Sequence, residues 1–170
     1  RLLLVAALLC PSLAATGGSF IQVSGGLVTP YDSIPYMHQD SFGYLWLNIE
    51  AKGVSRYDGK TFDSLVTPKG KSEISYARVT GMHETTDGAL WFATRNGLHR
   101  YTMATGELKA FSKNIDNPQD PGAPPQNFNA GIAGESANKL WFVGSRFIYY
   151  YELSGHTFKV VLDRSKNKGE

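Results

Sequence analysis

Asp87-Gly88-Ala89-Leu90-Trp91-Phe92-Ala93-Thr94, closed by Gly97-Leu98-His99-Arg100-Tyr101, is the stretch that decides the fold. Upstream it is echoed by Phe42-Gly43-Tyr44-Leu45-Trp46-Leu47 and Gly53-Val54-Ser55-Arg56-Tyr57. Downstream the echo is Ala137-Asn138-Lys139-Leu140-Trp141-Phe142-Val143, followed by Phe147-Ile148-Tyr149-Tyr150-Tyr151. The chain's three tryptophans are spaced 45 and 50 residues apart. A tryptophan-centred repeat of that period marks an array of similar structural units.

Each repeat reads as four short strands, rich in aromatic and β-branched residues and bounded by Gly, Asn, Asp and Pro. The expected strands are 33–39, 44–48, 54–57 and 61–65 in the first repeat. They are 78–84, 90–94, 98–101 and 108–111 in the second, and 129–134, 140–144, 147–151 and 158–161 in the third. Gly43, Gly88 and Asn138 stand three residues before the tryptophans, and these residue types tolerate the positive φ of a tight hairpin. Gly59, Gly106 and Gly155 are expected to serve the outer hairpins in the same way. Apolar residues flank each tryptophan on both sides, so the strand is expected to be buried on both faces. That is the environment of a blade in a β-propeller. The fold expected is all-β, with blades of four antiparallel strands at about 31–66, 77–112 and 129–162. Three blades are too few to close a ring, so the expectation is the first part of a larger, seven-bladed propeller spanning 16–170 and beyond. Residues 20–23 read as an outer strand lent to the closing blade.

The N-terminus reads differently. Arg1, an apolar run over 2–9, and small residues at Ser12 and Ala14 describe a secretory signal peptide over residues 1–15. The run is well short of the ~20 residues a permanent membrane-spanning helix needs. Leu9 before Cys10 disfavours lipid attachment, and cleavage near Ala14 or Ala15 would remove the chain's one cysteine. No disulfide framework or cysteine nucleophile is then expected. A net charge of +2, with no basic run, gives no support to nucleic-acid binding. A hydrophobic content of 42% and 18 glycines in 170 residues suit a globular chain of many short strands.

Asp40-Ser41-Phe42-Gly43-Tyr44-Leu45-Trp46 and Gly97-Leu98-His99-Arg100-Tyr101 resemble the blades of the two-component regulator propeller family. The likeness runs over roughly residues 20–161. The third repeat departs from the pattern, with Asn138 for the glycine and Phe147 where a glycine is expected. The resemblance implies a periplasmic sensing region of an inner-membrane regulator whose output module is a histidine kinase or a diguanylate cyclase. It also implies a small-molecule or glycan ligand, further blades and an output domain C-terminal to this chain, and homodimerisation of the full-length protein. No cofactor is implied. The Gly-x-Leu-Trp-Phe strand also resembles the streptogramin lyase group of propellers, which use a histidine at the channel mouth and a divalent cation. A non-catalytic exported scaffold is a third reading.

Four residues are candidates for ligand contact. His38 and His83 fall eight residues before their tryptophans, on inner strands of adjacent blades, and Ala133 holds that place in the third repeat. No acidic or cysteine partner recurs with them, so no metal site is expected. Arg95 and Arg146 follow the second strands of their blades, where a guanidinium could hold a carboxylate, a phosphate or a sugar. Arg56 and Arg100 recur before tyrosines and read as structural, their stems covering a neighbouring blade. The proline-rich loop 112–128 and the aromatic run 147–151 are further places where a ligand could rest. No nucleophile–base pair or phosphate loop emerges, and no catalytic residue is assigned.

Overall fold

The computed structural model describes residues 32–50, 52–65, 78–114, 116–117, 119–126, 129–136 and 138–166. The expected signal peptide at 1–15 and the strand at 20–23 lie outside them.

Among the described residues, twelve strands form three four-stranded sheets, each antiparallel and each in chain order. The first sheet is β1 (Tyr36–Gln39), β2 (Leu45–Ile49), β3 (Gly53–Tyr57) and β4 (Phe62–Ser64). The second is β5 (Val79–Thr85), β6 (Ala89–Thr94), β7 (Gly97–Thr102) and β8 (Glu107–Phe111). The third is β9 (Asn129–Ser136), β10 (Lys139–Gly144), β11 (Phe147–Glu152) and β12 (Thr157–Asp163). Among the described residues there is no helix, and none long and apolar enough to cross a membrane. Successive sheets meet through their inner halves, β1 against β5 and both β5 and β6 against β9. This is the blade arrangement of a β-propeller.

Strand pairing makes the repeat exact in register. Trp46 pairs His38 and Arg56, Trp91 pairs His83 and Arg100, and Trp141 pairs Ala133 and Tyr150. The three tryptophans therefore occupy one equivalent site. Each described inter-blade layer is built by the same rule. Trp46 meets Phe92 at 6.1 Å and Tyr101 at 5.2 Å in the next blade. Trp91 meets Phe142 at 6.0 Å and Tyr151 at 4.9 Å in the blade after. Such offset and tilted ring pairs add favourable quadrupole contacts to the area they bury.

Blade 2 is covered on both faces, and every residue of β6 is buried. In blade 3 only alternate residues of β10 are buried. Leu140 and Phe142 face blade 2 and are inaccessible, whereas Trp141 and Val143 on the other face are half-buried. Leu162, opposite Ile148 in the ladder, is exposed.

The turns depart from expectation at one point. Gly43, Gly88 and Asn138 have φ of 90°, 74° and 66°, the left-handed region a tight hairpin requires. In the outer hairpins Gly59 and Gly106 do the same, at 97° and 71°. In blade 3 the left-handed residue is His156 (φ 51°) and not Gly155. The pairing explains this, because Glu152 lies opposite Thr157 as Thr102 lies opposite Glu107, which aligns His156 with Gly106.

Candidate functional site

The inner strands carry the polar cluster nearest to the histidines. His38 on β1 and His83 on β5 sit at equivalent positions of adjacent blades, each opposite its tryptophan. Between blades 1 and 2, Glu84 reaches across to the β1–β2 turn. Its carboxylate accepts from the Ser41 amide at 2.7 Å and the Ser41 hydroxyl at 2.6 Å. The same carboxylate lies 4.0 Å from His38 Nε2, which is buried and has no hydrogen-bond partner among the described residues. A buried nitrogen without a partner is costly. His83 turns toward blade 3, where a Cβ at Gly134 would stand 3.6 Å from its ring. The two histidines thus serve different inter-blade seams. Among the described residues no three His, Cys, Asp or Glu side chains gather closely enough to hold a metal ion.

The arginine candidates are divided. Arg95 is exposed at the β6–β7 turn, its amide donating to the Arg78 carbonyl at 3.3 Å. Arg146 is exposed at the β10–β11 turn and forks onto Asp163, Nε to Oδ1 at 2.9 Å and the second N–H to Oδ2 at 3.0 Å. That fork holds the Asp163 carboxyl well below the usual carboxylate range. Its guanidinium also lies 4.8 Å above the Phe147 ring. The structure therefore engages Arg146 in joining β11 to β12.

The guanidinium groups of Arg56 and Arg100 are each held by partners in their own blade. Arg56 lies 4.7 Å over Tyr44 and 6.0 Å from Trp46, with Asp63 at 3.2 Å. Arg100 pairs with Asp87 at 2.8 Å and Thr102 at 2.8 Å. In the aromatic run, Tyr149 and Tyr151 are core, and burial pushes the Tyr149 hydroxyl far up in pKa while it donates to Asn129 Oδ1. The loop after β8 folds against blade 3, the Pro121 carbonyl accepting from the Phe158 amide at 2.7 Å.

Two groups were not legible from sequence as a site. The Glu84–Ser41 link spans 43 residues, and no local pattern announces it. His99, on β7, is 5% exposed, with Nδ1 buried and unpartnered among the described residues. Burial lowers its pKa to about 4 from an ordinary 6.5. Because the unfolded chain binds this proton more readily, the stabilising effect is full above pH 6.5 and is lost as pH falls toward 4. At roughly 1.4 kcal/mol per unit, the loss approaches ~3 kcal/mol. Urea denaturation at pH 7 and pH 4 should show this fall, and His99→Gln should reduce it.

No family model matches the chain, and no curated relative matches it. Solved structures do. Over 76% of this chain and 18% of that one, at 22% identity and a TM-score of 0.62, it is similar to the extracellular domain of the hybrid two-component system protein BT3049 from B. thetaiotaomicron. It is also similar to a streptogramin B lyase, over 78% of this chain and 41% of that one, at 21% identity and a TM-score of 0.54. An inactive variant of virginiamycin B lyase from Staphylococcus aureus, solved with quinupristin, aligns over 82% of this chain and 43% of that one, at 20% identity and a TM-score of 0.52. The chain spans less than half the length of each of these structures. Identities at this level speak for the fold alone, and the fold they share with this chain is the β-propeller.

Proposed function

We propose that this chain belongs to the extracytoplasmic ligand-sensing propeller of a membrane-bound signal-transduction regulator, of the two-component histidine kinase or diguanylate cyclase type. The observation that carries the reading is the likeness of its three blades to the extracellular domain of a hybrid two-component protein, at a TM-score of 0.62. The repeat motifs that resemble regulator propellers support it independently. In this reading residues 1–15 export the chain to the periplasm, and the full-length protein is anchored in the inner membrane as a homodimer. The ligand is a small molecule or glycan whose hydroxyls meet His38 and Glu84 at the seam between blades 1 and 2. A ligand signals only by binding two states with different affinity, so the propeller acts through its contacts with the rest of the protein.

The test uses the full-length protein in membranes, with kinase or cyclase output as the readout. Ligands are first found by thermal shift among small glycans and other small molecules. A compound that raises the melting temperature should also change the output. His38→Ala and Glu84→Gln should shift the response to at least tenfold higher ligand concentration without altering basal output. A ligand that binds with no change in output, or a full-length protein lacking any output module, overturns the reading.

A second reading has a specific observation behind it. Histidines on the inner strands of adjacent blades, in a fold shared with streptogramin B lyase at a TM-score of 0.54, suit a propeller enzyme. Conversion of a bound ligand to product by the purified protein, lost in His38→Ala or His83→Ala, would establish that reading in place of the first.

A further inference from the structure

The outer halves of neighbouring blades diverge and leave a cleft at each seam. Between blades 1 and 2 its volume is about 260 Å³, and between blades 2 and 3 about 410 Å³. The two clefts are built from equivalent positions, so each serves as a control for the other.

In the first cleft, Arg56 lies directly across the ladder from Asp63, and the two form a salt bridge at 3.2 Å. In the second, Arg100 lies across from Lys109. Like charges directly opposite on a sheet oppose folding. Asp87 offsets Arg100 at 2.8 Å. The Lys109 ammonium has no carboxylate within salt-bridge distance among the described residues and rests 4.9 Å over the Phe111 ring. The hairpin facing each cleft differs as well. Gly106 faces the first and His156 the second, both with left-handed backbone. Histidine there carries a steric cost that glycine avoids. Its Nδ1 is 3.0 Å from Tyr151 Oη, and a hydroxyl donated to Nδ1 leaves the ring proton on Nε2 as a donor. Gly122, from the proline-rich loop, forms part of the wall.

Two departures from the repeat, both unfavourable to the empty fold and both adding a donor, converge on one cleft. We infer that the cleft between blades 2 and 3 binds an oxyanion, a sulfate, phosphate or carboxylate group, through Lys109 and His156 with Arg100 behind them. Glu107 is also at the wall, and with Asp87 on Arg100 it balances the two cations, so the ligand is held by directed hydrogen-bond donors and not by net charge. This site is separate from the inner-strand seam, and the inference stands or falls independently of the sensing proposal.

The test is a chemical-shift titration of the isotope-labelled full chain with sodium sulfate, sodium phosphate and sodium acetate, with sodium chloride matching ionic strength. Saturable shifts at Lys109, Gly122 and His156 are expected with at least one of the three anions, and which one saturates identifies the group. Lys109→Asp and His156→Gly install the residues of the blade 1–2 cleft. Each should weaken saturation at least tenfold while the melting temperature holds or rises. Shifts that follow ionic strength alone, or variants that bind as tightly as the parent chain, would overturn the assignment.

Discussion

Trp91→Ala is expected to destabilise the protein by about 3–5 kcal/mol, the range for removing a large aromatic side chain from a packed core. Trp91 has no accessible surface. It stacks on Phe111 within its own blade at 5.5 Å and meets Phe142 and Tyr151 of the next. Its removal leaves a void bounded by rigid rings from two sheets, which cannot collapse to fill it. For a chain of this size the melting temperature should fall by ~10 °C or more. Trp141→Ala is the comparison that gives the number meaning. The residue type, strand position and flanking sequence are equivalent, but Trp141 is only half-buried, so the loss should be less than half as large. Equal losses from the two variants, measured by urea denaturation, would show that inter-blade packing does not set the stability.

Asp40→Ala should cost about 3 kcal/mol, more than its small size suggests. Asp40 is 5% exposed. One carboxylate oxygen accepts from the Phe42 amide at 3.0 Å and the Tyr44 amide at 2.9 Å, and the other from Trp46 Nε1 at 2.8 Å. Hydrogen bonds to a charged acceptor contribute roughly 1.5–3 kcal/mol each, and a buried donor left without a partner adds its own desolvation cost. The indole is the donor that water reaches least. Asn can serve the two amides but turns its NH₂ toward the indole N–H, so Asp40→Asn should recover only part of the loss. Blade 2 supplies the contrast. Thr85 stands in the equivalent place, its hydroxyl 2.5 Å from Asp87 Oδ1, and Trp91 Nε1 is buried without a partner among the described residues. Thr85→Ala should therefore cost only ~1 kcal/mol. Thermal unfolding of the three variants together would settle whether the carboxylate holds the tryptophan or merely caps the turn.

The repeat was legible because its physics is local. A strand with apolar residues in both phases, preceded by a residue that accepts positive φ, announces its own pairing, and the twelve strands fall within a few residues of their expected limits. What escaped the sequence depends on partners. Gly155 looked like the turn residue of blade 3 because glycine usually is, but the β11–β12 register passes the strained position to His156. Trp141 carries the same motif as Trp91, and no feature of its strand says that one face is only half-buried among the described residues. Arg146 looked free in sequence because Asp163, its partner, lies 17 residues away across a hairpin. The seam that brings Glu84 to Ser41 and His38 exists only once two sheets have packed.

The burial of β6 on both sides has a kinetic consequence. In stacked sheets that touch only their neighbours, stability behaves as a row of coupled units, each contributing its own term and one for every interface it shares. Among the described residues, opening blade 3 breaks one interface, while opening blade 2 breaks two. Amide protons of β6 should then exchange with solvent only through the largest openings, and those of β12 through small local ones. Among the three described blades, the tryptophan strand of blade 2 would be the last part to be released.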